Sequence, residues 1–371
     1  MGSTRIFLLV TNDLTNDQRM IRIATTLSKN GYFVTLVGRQ KSTSLPLLVQ
    51  PFRQKRLSCF FQKGKFFYLE FNMRLFLYLF VTKLDIICAN DLDTIVPTVM
   101  VAKIKSKVSM YDAHEYFTEV PELMHRPFTK FIWQKISNIC IPKINFCYTV
   151  CESLAQIFKN QYFKTFSVIR NLPLANSEPL VNPKEKKERI ILYQGALNIG
   201  RGLEEAIAAM QMIENAQLWI AGQGDIEKTL KNLCIKLKVT NKVFFKGNLL
   251  PEELKKMSQK AMIGLNLLEN KGLNYYYSLA NKTFDYAQAS VPMLNMNFPE
   301  YIKLNRDFEV ALLLDNLDPT YVAAKILNLL EDENLYNKLK TNCLAASKYW
   351  NWEIEEKKLL LIYAAAEKIK R

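Results

Sequence analysis

The chain is 371 residues long, with 49% apolar, 23% charged and 12% aromatic residues, ample for two buried cores and unlike a disordered or disulfide-stapled chain. Its 50 Lys and Arg outnumber 35 Asp and Glu, a formal charge of +15, and the surplus is uneven: 24 basic against 13 acidic residues up to residue 185, 26 against 22 beyond it. An anionic partner is therefore expected on the first half.

The seven Cys include no C-x-x-C pair and several sit in apolar runs, which reads as reduced, buried thiols in a cytoplasmic protein. With His114 and His125 as the only histidines, no zinc-ligand spacing can be assembled. The first 13 residues hold one basic side chain and five consecutive apolar ones, too few for a signal-peptide core. The most apolar stretch, 66–81, carries Glu70 and Arg74 and falls short of the roughly 20 residues a spanning helix needs.

In chain order, apolar runs at 6–10, 33–37, 85–89, 108–111, 146–150 and 167–169 read as strands buried on both faces, with amphipathic stretches such as 18–30 between them. Residues 171–189 then break the pattern with three prolines and a charge run, as a linker does. A second series follows at 190–193, 218–221, 243–245, 263–267, 292–295 and 311–314, alternating with helical stretches at 203–214, 226–237 and 251–259. Strand and helix in alternation define an α/β protein of two Rossmann-like, doubly wound parallel-sheet domains, with a ligand cleft expected between them. The boundaries expected are 1–175, a linker at 176–189, 190–345, and a C-terminal helix within 346–371 that returns to the first domain.

Three strand-to-helix loops in the second half are expected at one sheet end. The first, Gly195 to Gly202, joins free backbone N–H groups and a helix start to the cation of Arg201, a combination suited to phosphate. It nearly matches a G-x4-G-K-[ST] loop, but Arg201 replaces Lys and Gly202 the magnesium-binding hydroxyl, which argues against an NTPase. The others are IAGQGD, with Gly222, and FFKGNLLPEEL, with Gly247, Leu249 and Leu250. A fourth segment, 274–294, gathers Tyr277, Ser278, Asn281, Lys282 and Asp285 before a strand; its helix would aim N–H groups at an anion while Asp285 accepts from ribose hydroxyls. Tight turns and an N-capped helix without ligand remain the alternative for all four.

With these segments in hand, the second half resembles the donor domain of retaining GT-B glycosyltransferases of family 4, the glycosyl transferases group 1, in its G-x5-RG loop, IAGQGD, VFFKGNLLPEEL and NKTFDYAQASVP. The first half is similar to bacterial members in residues 11–39, ANDLDT and YDAHEYFTEVPEL. The resemblance implies that Arg201 and Lys282 hold a donor diphosphate, that backbone around Gly247–Leu250 frames the base, and that Asp285, at the second acid of an E-x7-E element, binds ribose. Tyr277 occupies the first acid's place and Ala196 that of a frequent arginine. His114 matches a histidine near the transferred sugar, where a ring or backbone hydrogen bond to a hydroxyl suits it better than nucleophilic attack. Asn12, Asp13 and Arg19 belong to a loop facing diphosphate and acceptor.

The resemblance thus implies a retaining hexosyltransferase, moving a sugar from a nucleoside diphosphate donor to a lipid-linked or saccharide hydroxyl, without metal or other cofactor, in cell-surface polysaccharide or glycolipid synthesis. A nucleotide-sugar epimerase on the same fold and a basic nucleic-acid-binding protein are the alternatives; one candidate histidine argues against the first, and the lack of any known nucleic-acid motif against the second. Cations interleaved with aromatics over 53–83 suit peripheral attachment to an anionic membrane face, against the alternative of an aromatic core with a basic rim.

Overall fold

The structure is a computed structural model that describes residues 3–15, 17–124, 126–175 and 188–369. The chain forms two compact units, one of residues up to Asn171 together with Glu355 onwards, the other from Leu172 to Ile354. Of the expected linker, 176–187 lies outside the described residues, as does His125. The divisions fall at 171/172 and 354/355 rather than 175/176 and 345/346. Helix Glu333–Ser347 stays whole in the second unit because Leu339, Cys343 and Ala346 bury there, Cys343 lying 3.5 Å from the Val291 carbonyl.

The first unit holds β1 (Arg5–Leu9), β2 (Phe33–Gln40), β3 (Arg53–Ser58), β4 (Ile86–Asn90), β5 (Val108–Ala113), β6 (Phe146–Thr149) and β7 (Phe166–Val168), all parallel in the order β3-β2-β1-β4-β5-β6-β7. Right-handed crossovers place the helices that follow β3, β4 and β5 on one face and the β1–β2 helix on the other. Helix Gly64–Val81 lays Phe67, Phe71, Leu75 and Leu79, one per turn, against Phe7, Leu9, Val37 and Ile87 of the sheet. Each such fully buried side chain contributes about 1.5–3 kcal/mol. On the other face helix Gln18–Lys29 meets the C-terminal helix Trp352–Ile369, where the Thr26 hydroxyl donates to Glu356 at 2.7 Å; Tyr363 of that helix reaches the Tyr148 hydroxyl at 3.3 Å.

Strand β3 has no counterpart among the sequence-predicted strands. Its RQKRLS has no apolar run, because it is an edge strand whose side chains stay largely in water, and pairing with β2 from Thr35↔Arg53 to Gln40↔Ser58 alone defines it. Part of the basic run at 53–83 is thus sheet edge. The rest is mostly the 18-residue helix, and among the described residues no helix is long and apolar enough to cross a membrane.

The second unit holds β8 (Ile190–Gln194), β9 (Gln217–Ala221), β10 (Val243–Gly247), β11 (Ile263–Asn266), β12 (Met293–Met296) and β13 (Ala311–Leu314), parallel in the order β10-β9-β8-β11-β12-β13. In each sheet the strand order reverses beside the first strand, β1 or β8, and an open α/β sheet binds ligands outside the carboxyl ends of the strands at that switch. All seven cysteines are free thiols, six of them buried and Cys59 half-buried.

Candidate functional site

The second unit's switch region joins the three expected glycine loops through backbone. Gly195 N–H donates to the Ala221 carbonyl at 2.9 Å, Gly222 N–H to the Gly247 carbonyl at 2.8 Å, and Leu197 N–H to the Gln223 carbonyl at 3.0 Å. Two glycines are required by this proximity. A Cβ on Gly222 would stand 1.9 Å from the Gly195 carbonyl oxygen, and one on Gly224 2.3 Å from that of Leu197. The loops after β8, β9 and β10 therefore form one rigid backbone shelf.

Two cations lie at this end of the unit. Arg201 rests on the ring of Tyr275, 4.8 Å from its centroid, and its Nε is buried without a hydrogen-bond partner. Tyr275 is fixed by its hydroxyl, which donates to the Ile199 carbonyl at 3.3 Å, and it closes over Gly200. Lys282, second residue of helix Asn281–Gln288, is 8% exposed, with Nζ 3.7 Å from the ring centroid of Tyr193 and close to Gly195. Burial first, then the charge of Arg201, hold the Lys282 pKa well below the ordinary lysine value, with Asp285 opposing weakly. Lys282 makes no salt bridge among the described residues. An anion at this point would relieve both effects.

The remaining donor-side residues surround these cations. Asp285 accepts from Gln194 Nε2 at 2.8 Å, and Gln194 Oε1 accepts from the Ser258 hydroxyl at 2.9 Å, so the strand end of β8 ties one carboxylate oxygen in place. The Ser278 hydroxyl donates to the Tyr275 carbonyl at 2.9 Å and so serves the turn at this end of helix Leu273–Tyr276. Tyr277 is half-buried, its ring edge-on to Tyr276 at 4.9 Å. Leu250 is exposed just before helix Pro251–Lys260, its N–H donating to Glu253 at 2.9 Å, and Leu249 is half-buried beside it.

In the first unit, His114 follows β5 and sits between two carboxylates. Its Nδ1 is 3.1 Å from Asp91 Oδ2 and its Nε2 3.1 Å from Asp112 Oδ2, while its backbone N–H donates to Asp91 Oδ1 at 3.0 Å. Burial opposes charge on the ring, but Asp91 and Asp112 outweigh it and raise the His114 pKa well above the usual value. Both ring nitrogens are thus occupied by carboxylates.

Arg19 belongs to the same cluster. Its guanidinium turns inward, with Nε and Nη2 donating to Asp112 at 3.0 and 2.8 Å and Nη1 to the Ile169 carbonyl at 3.1 Å. Burial would push Asp112 up, yet Arg19 and then His114 hold it below the usual carboxylate range. Arg19 therefore positions Asp112, and through it His114, with all three of its guanidinium nitrogens engaged inside the unit. Asn12 and Asp13 shape their own loop: Asn12 Oδ1 accepts from Leu14 N–H and Asp13 Oδ1 from Thr15 N–H, at 3.0 and 3.1 Å.

Three acids went unassigned in the sequence although they lie in its ANDLDT and YDAHEY segments: Asp91, Asp93 and Asp112. Asp93 is buried after β4, with Oδ2 accepting from the Thr11 hydroxyl at 2.5 Å and Oδ1 without a partner. Burial and then the nearby Asp91 charge raise its pKa to about 7. Polar residues at strand ends were the available signal. In the second unit the corresponding omissions are Tyr193 and Tyr275, whose rings lie beneath Lys282 and Arg201, and Gln194, whose amide holds Asp285.

Both units thus place charged side chains and exposed backbone at the switch point of a parallel sheet. Residues 177–344 match the family model described as Glycosyl transferases group 1. A 77-residue stretch is 42% identical to the uncharacterized glycosyltransferase MJ1607 of Methanocaldococcus jannaschii, and spans only 20% of this chain and 20% of that protein. Among solved structures, sucrose-phosphate synthase from Thermosynechococcus elongatus is similar with a TM-score of 0.77 at 16% identity over 98% of each chain. Anabaena HepE, solved in complex with UDP and glucose, has a TM-score of 0.78 at 13% identity over 98% of this chain and 100% of that one. At such identities the structural likenesses establish the fold, which is GT-B. Residues 177–344, most of the second unit, carry the likeness to the glycosyl transferases group 1.

Proposed function

We propose that this protein is a retaining hexosyltransferase that moves a sugar from a nucleoside diphosphate donor to a hydroxyl of a lipid-linked or saccharide acceptor, in cell-surface polysaccharide or glycolipid synthesis, at the cytoplasmic side of a membrane. The observation that carries the reading is the pairing of Arg201 with the buried Lys282, whose charged form is disfavoured until an anion arrives. A donor diphosphate fits that need. When the bond from the anomeric carbon to the diphosphate oxygen breaks, negative charge grows on that oxygen, and two cations beside a rigid backbone shelf stabilise it without a metal ion.

HepE, described with UDP and with UDP-glucose, favours a uridine nucleotide as the first donor to try. Asp285, held by Gln194, is the acceptor for ribose hydroxyls, and the loop at Gly247–Leu250 is the place for the base. In this reading His114, with both ring nitrogens on carboxylates, is no nucleophile, and it sets the polarity of the acceptor-side unit.

A thermal-shift panel of UDP, GDP, ADP and their sugars tests the reading. One nucleotide series should stabilise the protein, and Arg201→Ala should remove most of that stabilisation. A shift that survives Arg201→Ala undiminished refutes the phosphate role of Arg201, and no shift with any nucleotide refutes the donor site. Release of free nucleotide coupled to a glycosylated acceptor separates transfer from epimerisation.

A further inference from the structure

Three helices on one face of the first unit turn apolar stripes outward. On helix Gly64–Val81 the inner stripe is in the core, yet Phe66, Leu69, Met73, Leu77, Phe80 and Val81 are all exposed, Leu69 at 69% and Val81 at 80%. Their spacing of three or four residues makes them a second stripe, opposite the first. Helix Ile95–Lys105, packed beside it, exposes Met100 and Ile104. Helix Pro127–Cys140 exposes Phe128, Phe131, Ile132 and Ile139, and its Trp133 joins it to the first helix through Tyr68, 5.5 Å between ring centroids. By contrast, helix Gln18–Lys29 on the opposite face exposes only Gln18 and Lys29. An apolar area contributed by three neighbouring helices marks an interaction surface.

The charges around it indicate the occupant. Helix Gly64–Val81 starts at Lys63, with Lys65 in its first turn, no capping side chain and no acid there. Cations at the positive end of a helix are unfavourable within the helix, so its own stability does not explain them. At the other end, about 27 Å away by helix rise, Tyr78 and Thr82 border a recess of about 700 Å³ whose lining includes Arg5, Arg53, Lys55 and Lys83 and no carboxylate. Phe7, Thr35 and Lys55 alternate with residues of the opposite sheet face, so the recess opens on the same side of the sheet as the helix. Several other cations nearby are already engaged and take no part: Arg74 pairs with Glu70, Lys130 with Glu119, Lys107 with Asp85, and Lys105 caps the carbonyls of Leu79, Phe80 and Thr82.

We propose that this face, helices Gly64–Val81, Ile95–Lys105 and Pro127–Cys140, lies in the interface of an anionic lipid bilayer, with the outward stripes among the acyl chains and lipid phosphates at Lys63 and Lys65 and in the cationic recess. An apolar stripe flanked by cations at both ends matches a helix lying in the plane of the headgroups. A second copy of the chain would bring like charge against like charge. The surface deepens the acceptor side of the function proposed above, by bringing a lipid-linked hydroxyl to the enzyme, but it does not depend on the donor site, and the two are read separately.

The test is flotation of the full chain with vesicles of phosphatidylcholine alone and of phosphatidylcholine with phosphatidylglycerol. Binding should require the anionic lipid and weaken with salt. Leu69→Glu with Leu77→Glu, both at exposed positions, should lower the bound fraction at least tenfold while leaving nucleotide thermal shifts unchanged. Lys63→Gln with Lys65→Gln, and separately Lys55→Gln with Lys83→Gln, should each weaken binding about fivefold per cation removed. The proposal is overturned if the chain ignores lipid charge, if the Leu69→Glu, Leu77→Glu protein floats as well as the parent, or if the parent is a dimer in light scattering and the same substitutions make it monomeric. A nucleotide shift without lipid binding would leave the donor site standing and remove this surface alone.

Discussion

Replacing Lys282 by methionine separates a ligand-binding cation from a structural one. The side chain is 8% exposed, its Nζ meets the face of Tyr193 at 3.7 Å, and it makes no salt bridge among the described residues. Methionine keeps an unbranched apolar stem of similar reach and removes an amine that burial and Arg201 disfavour. The unliganded Lys282→Met protein should therefore melt at or above the parent temperature, since a buried group without a charge partner stabilises little. Nucleotide binding should respond oppositely. Loss of one charge-assisted contact costs about 1.5–3 kcal/mol, which is roughly 10- to 150-fold in Kd. Titration calorimetry with the nucleotide that gives the largest thermal shift measures this directly. A bound diphosphate favours the charged amine, so the parent should take up a proton on binding; its affinity falls as pH rises, and the heat varies with the buffer's ionisation enthalpy, while Lys282→Met shows neither. A variant that binds within twofold of the parent, or one that melts several degrees lower without ligand, refutes the reasoning.

The other predictions concern the strand ends and the shelf. Asp93, with its pKa raised to about 7, holds a proton that the unfolded chain releases near 4, so its contribution to stability is complete below about pH 4 and lost as pH rises through 7. Asp93→Asn should accordingly melt higher than the parent at pH 8, with the difference closing toward pH 4; a constant difference contradicts the raised value. His114, with its pKa raised above the usual 6.5, contributes stability that is full below that value and is lost as pH rises through the folded value, so the cost of His114→Gln should be largest in mild acid and shrink in alkali, as read by thermal melts. Asp112→Asn leaves the Arg19 guanidinium buried without its partner charge and should cost about 3–5 kcal/mol in urea unfolding. Gly222→Ala forces the loops after β8 and β9 apart, since the new Cβ would stand 1.9 Å from the Gly195 oxygen, and should lower both the melting temperature and nucleotide affinity.

Much of this was legible without coordinates because a parallel sheet covered on both faces leaves a strong trace: Ile6 to Leu9, Ile86 to Ala89 and Ile190 to Tyr193 are unbroken runs of fully or nearly fully buried side chains. The loop glycines were conspicuous for a related reason: at Gly222 and Gly224 backbone approaches backbone and excludes a Cβ, while Gly195 and Gly247 adopt positive φ. An edge strand leaves no such trace, and Arg53–Ser58 emerged only through its pairing with β2. Nor does residue type reveal which way a polar side chain turns. Arg19 looked like a ligand-facing cation and is locked inward by Asp112, and the acids that clasp His114 are 21 residues apart in sequence, brought together by the adjacency of β4 and β5.

By itself the sequence determined two α/β units, the loops at their sheet ends, and a basic, aromatic first half, since burial, turn geometry and charge are written in residue type and spacing. Tertiary structure decided the direction of each side chain. It put Phe67, Phe71, Leu75 and Leu79 inward and Phe66, Leu69, Met73 and Leu77 outward on one helix of almost uniform hydrophobicity. In such a helix only the place of the sheet selects the face that is core and leaves the other for a partner.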